Sequence, residues 1–97
     1  MAKMVPARKI VVGMVREDAV RLLRAAGAKQ TSIDGAPPTA VNRSGAAYEL
    51  RGGELLIVVY DRKTAGASYR VSGLRSCQNA DAPKSKRVWR TVAQLTL

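Results

Sequence analysis

The chain has 97 residues, with 17 Lys or Arg against seven Asp or Glu and no His, giving a formal net charge of +10 at neutral pH. That length suits one domain spanning residues 1–97, with little core to spare. Without His, the nucleophile-and-base pairs built on imidazole are excluded.

Cys77 is the single cysteine, so no intramolecular disulfide can form, and a conventional zinc or iron site lacks ligands. We expect a buried, inert thiol and no cofactor. There is no Phe, and the large rings are Trp89, Tyr48, Tyr60 and Tyr69, so Val, Leu, Ile and Ala must fill the core. No apolar run approaches the length of a transmembrane segment. The opening MAKMVPARK is basic but lacks the apolar stretch of a signal peptide. As written the chain reads as cytoplasmic; it would be periplasmic or membrane-anchored had an export signal been removed.

Residues 1–7 read as a loose tail and Arg8 to Val12 as a short strand leading to a turn at Gly13. Val15, Ala19, Leu22, Leu23 and Ala26 then fall on one face of an amphipathic helix. Arg16, Glu17, Asp18, Arg21 and Arg24 occupy the rest of its surface. Glu17 and Arg21 stand four apart in the favoured order, the acids sit in the first turn, and Gly27 can take the left-handed conformation that ends a helix.

Gly13-Met14 before this short helix, with Val20 and Leu23 within it, resembles the signature of the SmpA/OmlA (BamE-like) family. These are small bacterial outer-membrane assembly lipoproteins whose domain is shared in outline with β-lactamase inhibitor proteins. Three features depart from the family pattern. Val15 replaces the usual hydroxyl N-cap, Arg24-Ala25-Ala26 intervene before Gly27, and no proline follows closely. Cys77 is also far from the N-terminus, where an acylated cysteine would stand. The resemblance implies a helix followed by a β-meander, and a non-catalytic role as an assembly or scaffolding partner.

After the helix, residues 30–44 carry Asp34-Gly35, Pro37-Pro38 and Asn42, the composition of a long irregular loop. Ala46 to Leu50 alternates as a half-buried strand, Gly52-Gly53 supplies a tight hairpin, and Glu54 to Tyr60 (ELLIVVY) is apolar on both faces. Leu55, Ile57 and Val59 point one way and Leu56, Val58 and Tyr60 the other, so both sides need cover. The amphipathic helix can supply one; the C-terminal segment or a partner chain must supply the other. Tyr69 to Cys77 reads as a third strand, in which a bulge at Gly73 would bring Val71 and Leu74 to one face. Residues 78–97 form a basic terminal segment. Its last residues, TVAQLTL, fit helix or strand, with an extended reading favoured. The fold class is α+β: one main amphipathic helix packed on an antiparallel β-meander.

Charge is uneven along the chain. Residues 1–33 hold seven basic and two acidic side chains, residues 34–61 two and four, and residues 62–97 eight and one. Basic ends suggest an anionic partner, set against the plainer reading of a solvated basic surface. Two sets of residues are candidates. Lys84, Lys86, Arg87 and Arg90 surround Trp89, a mixture that can neutralise phosphates while the ring stacks on a base. Against this, an aromatic-poor core would use Trp89 as an anchor. Arg16, Arg21 and Arg24 on the helix could lie along an anionic partner or simply face water. Glu54 and Asp61 flank the central strand about 20 Å apart at full extension, too far to share a proton. No phosphate loop, zinc-finger spacing or nucleotide fingerprint is present. The expected function is therefore a protein-interaction or scaffolding domain, with itself as a dimer among the partners; the alternative is a small nucleic-acid-binding protein acting through its basic ends.

Overall fold

A computed structural model describes residues 9–32 and 40–97. The tail expected at 1–7 and the central part of the expected 30–44 loop lie outside the described residues. The remaining chain forms one helix and seven strands, all paired antiparallel: an α+β architecture that is mostly β.

Strand β1 (Lys9–Val11) leads through a turn, with Gly13 at φ 97°, into helix α1 (Arg16–Ala25). Ala19 and Leu23 are buried, and Val15, Leu22 and Ala26 half-buried, as the apolar spacing predicts. The helix ends in a double closure. The Gly27 N–H donates to the Arg24 carbonyl and the Ala28 N–H to the Leu23 carbonyl, each at 3.0 Å, with Gly27 at φ 76°. Arg21 pairs with Asp18 at 3.5 Å rather than with the expected Glu17. Val15 sits at the N-cap with extended backbone and no side-chain cap. Val15→Thr, close in shape, would offer a hydroxyl to the first-turn N–H groups. It is expected to raise the melting temperature, by up to ~1 kcal/mol of stability, and a lower melting temperature would show that the half-buried methyl matters more.

Strands β2 (Lys29–Thr31), β3 (Arg43–Glu49), β4 (Leu55–Asp61), β5 (Arg70–Cys77) and β6 (Trp89–Val92) form one sheet in that spatial order. The loop expected from residue 30 is corrected at both ends. Lys29 to Thr31 pairs with Glu49 to Ala47, and β3 starts at Arg43, opposite Asp61. Neither stretch has the apolar alternation that marks a strand; backbone pairing with β3 and β4 creates them. The β3–β4 hairpin closes at Gly52-Gly53, where Gly53 has φ 86° and the Leu50 N–H donates to the Glu54 carbonyl at 2.8 Å.

A bulge does bring Val71 and Leu74 to one face, but its extra residue is Ser72, beside the expected Gly73. Val59 stands opposite Gly73 and Tyr60 opposite Val71, and the Ser72 hydroxyl bonds the Val59 carbonyl at 3.2 Å. The outer edge of β5 is shared. Leu74 to Cys77 pair with β6, whereas the Gly13 N–H donates to the Val71 carbonyl, the Val71 N–H to Met14 and the Arg16 N–H to Tyr69. The chain after Val92 leaves this sheet as β7 (Gln94–Thr96), which pairs with β1. The C-terminal residues are thus extended, in two short strands.

Ile10, Ala19, Leu23, Tyr48, Leu56, Val58, Tyr60, Val71 and Leu74 form the main core. Register places Leu56, Val58 and Tyr60 on the face beneath α1, and Val92, Leu95 and Leu97 pack there too. The end of the C-terminal segment therefore shares the helix's side, while Trp89 of the same segment takes the opposite one. On the opposite face Ala47, Leu55, Ile57 and Cys77 are buried outside that cluster, and Leu55 lies near Ala80, Asp81, Lys84 and Arg87 of the β5–β6 connection. Tyr60 Oη is buried with no hydrogen-bond partner among the described residues. Burial first, and then neighbouring Tyr48, push its phenol well above the ordinary range.

Candidate anionic-partner interface

The helical candidates divide by exposure. Arg21 and Arg24 are exposed on the outer side of α1, and with Arg16, Glu17 and Val20 they line a shallow groove. Arg16 is half-buried, its guanidinium carbon 4.5 Å from the centroid of the Tyr69 ring; that of Arg62 lies 4.6 Å from the same centroid. Arg62 also donates from Nε to Asn42 Oδ1, from Nη1 to the Ala65 carbonyl and from Nη2 to the Val41 carbonyl. These contacts tie the start of α1 to the β4–β5 connection and to residues 41–42. Arg16 and Arg62 are thus engaged within the fold, which leaves Arg21 and Arg24 as the helix's outward cations.

The C-terminal candidates are shaped by Asn79. Its Oδ1 accepts from Cys77 Sγ at 3.3 Å and from the Val88 N–H at 2.9 Å, while its Nδ2 donates to the Lys86 carbonyl at 3.0 Å. This holds a single 3-10 turn, Lys84–Lys86, across the end of β5. Arg87 Nε donates to the Ala82 carbonyl at 3.3 Å. Lys84 and Arg87 then border a cleft with Glu49, Asp81 and Leu55. Lys86 and Arg90 are exposed.

Within the expected grouping, strand alternation separates Trp89 from Arg90. Trp89 stands opposite Cys77 on the face away from α1, whereas Arg90 stands opposite Ser76 on the other face. Trp89 is half-buried and lies outside the main core, because β6 is the sheet edge among the described residues. The expectation that it anchors the core is corrected accordingly. Asn79, the organising residue, had one sequence signal: an Asn directly after a strand, in a turn-rich stretch, where its side chain can stand in for a backbone partner.

Asp61 is engaged at the far end of β4. Arg43 donates to it from Nε at 2.8 Å and Nη2 at 3.3 Å, and that hydrogen bond, with Ser72 nearby, holds its carboxyl below the usual carboxylate range. Glu54 precedes the other end of the strand. Among the described residues no cluster of three or more His, Cys, Asp or Glu could hold a metal ion, and no helix is long and apolar enough to cross a membrane. Cys77 is buried.

The chain matches no family model, no curated protein and no solved structure. Its functional reading therefore rests on its own residues.

Proposed function

We propose that this chain is a non-catalytic protein-interaction domain whose basic surface receives an acidic partner. One observation carries the reading. The chain has 17 Lys or Arg against seven Asp or Glu, so paired one to one most of its cations lack a side-chain carboxylate of their own. Exposed cations of this surface are Arg24 on α1 and Lys86 and Arg90 beyond β5; Arg21 is exposed as well but pairs with Asp18. A scaffolding role, as in the envelope assembly lipoproteins that the N-terminal stretch resembles, is consistent with this surface. It would place the chain in the periplasm or on a membrane.

A second reading, single-stranded nucleic acid, is favoured by one specific feature: Trp89 is half-exposed, with cations close in sequence, and could stack on a base. Titration with polyglutamate and with an oligothymidine strand, each across a range of ionic strength, separates the two. The acidic-partner reading expects saturable polyglutamate binding that the double charge reversal Arg21→Glu, Arg24→Glu weakens about tenfold. Tighter oligonucleotide binding, with the steep salt dependence of counterion release, would establish the second reading instead. Polyglutamate binding unchanged by the reversal would remove the helix from the interface.

A further inference from the structure

Among the described residues strand β6 ends the five-stranded sheet, so alternate backbone N–H and C=O groups between Trp89 and Val92 face away from β5. The open stretch is short. Immediately beyond it the Val12 N–H donates to the Ala93 carbonyl at 3.1 Å, and β1 pairs with β7. This leaves a defined edge bounded by the Asn79-held turn at one end and by β1 at the other.

The surroundings of the edge determine what could join it. Lys86 and Arg90 are exposed, and Arg75, also exposed, stands opposite Thr91 on β5. From residue 82 to the C-terminus the chain has no Asp or Glu. Val88 is 69% exposed and Trp89 is half-buried, so apolar contact is available beside the charges. A second copy pairing β6 to β6 would bring two sets of these cations together, and like charges across a strand pair are destabilising. An acidic strand meets the same cations favourably.

We propose that the outer edge of β6 accepts an extended acidic segment of a partner protein as an added sheet strand. Backbone hydrogen bonds supply the register, while Arg75 and Arg90, on opposite faces, receive alternate acidic side chains. The inference rests on the acidic-partner reading and adds to it a place and a geometry.

Trp89 is the only tryptophan, so its emission reports on the edge directly. The probe is a short peptide repeating Val-Val-Glu-Glu, whose neighbouring glutamates reach both faces, compared with the same peptide N-methylated along its length, which keeps the charge and loses the backbone donors. The parent peptide is expected to shift Trp89 emission saturably and to perturb the backbone amides of residues 89–91. N-methylation is expected to weaken binding about tenfold, and Arg90→Glu by a similar factor. Equal affinity of the two peptides would overturn strand addition while leaving the acidic-partner reading in place. No response to either peptide would overturn strand addition; if polyglutamate then also fails to bind, the broader reading falls with it. An oligothymidine strand that binds more tightly than the parent peptide and shifts the same emission would assign the edge to nucleic acid and overturn the proposal.

Discussion

Leu23→Ala is expected to cost about 2–5 kcal/mol of stability, as a leucine deleted from a packed core. Leu23 is 1% exposed and belongs to the cluster that joins α1 to Leu56, Val58 and Leu74 of the sheet. Its carbonyl also accepts the Ala28 N–H that closes the helix, a contact the substitution leaves intact. The loss therefore measures packing and not capping. A domain of this size has about 5–15 kcal/mol in total, and each kcal/mol shifts the midpoint by about 4–8 °C, so thermal melting resolves the effect. Arg24→Ala, next along the helix and exposed, serves as control and should stay within about 0.5 kcal/mol of the parent. Equal small losses at both positions would mean that the helix presents a different face to the sheet.

Sequence pattern revealed the elements whose side chains pack. The helix was legible because Ala19 and Leu23 recur at its period, and Gly27 marked its end. The β3–β4 hairpin was legible because Gly53 must supply a positive φ between two apolar runs. What escaped were elements made by backbone pairing alone. Lys29-Gln30-Thr31 has no apolar residue, so nothing in its side chains marks it as a strand; its existence depends on β3 lying beside it. The bulge expected at Gly73 falls one residue late because Ser72 and Gly73 are both compatible with it. The partner across the strands decides, and that is not a local property.

The candidate site was the least legible part, for the same reason. Lys84 to Arg90 is compact in sequence, yet a strand sends neighbours to opposite faces, so Trp89 and Arg90 part company. Conversely Arg16 is far along the chain from Arg62 and Tyr69 yet meets them in space, and no spacing rule connects it to them. Asn79 sits between these cases: its position after β5 was suggestive, but the three bonds that make it an organiser depend on residues up to nine positions away.

Truncation after Asp81 is expected to abolish cooperative folding. It removes both β6 and β7, and the consequences fall on two parts of the molecule. β1 loses its partner, so Ile10, fully buried and opposite Leu95, is left on an unpaired strand. The main core loses the half-buried Val92, Leu95 and Leu97, at roughly 1 kcal/mol each for partial burial. Trp89 goes too, and the outer edge of β5 from Leu74 to Cys77 is bared beside an apolar face. Those packing losses, added to the lost pairing, rival the whole stability of a small domain. A bared edge next to apolar surface is also a template for association. Calorimetry should show a lost or strongly lowered transition, and sedimentation should show self-association of whatever structure survives. A monomeric truncated chain melting at the parent temperature would mean that α1 and the remaining sheet bury the core by themselves, leaving the terminal strands as an appendage whose removal costs nothing.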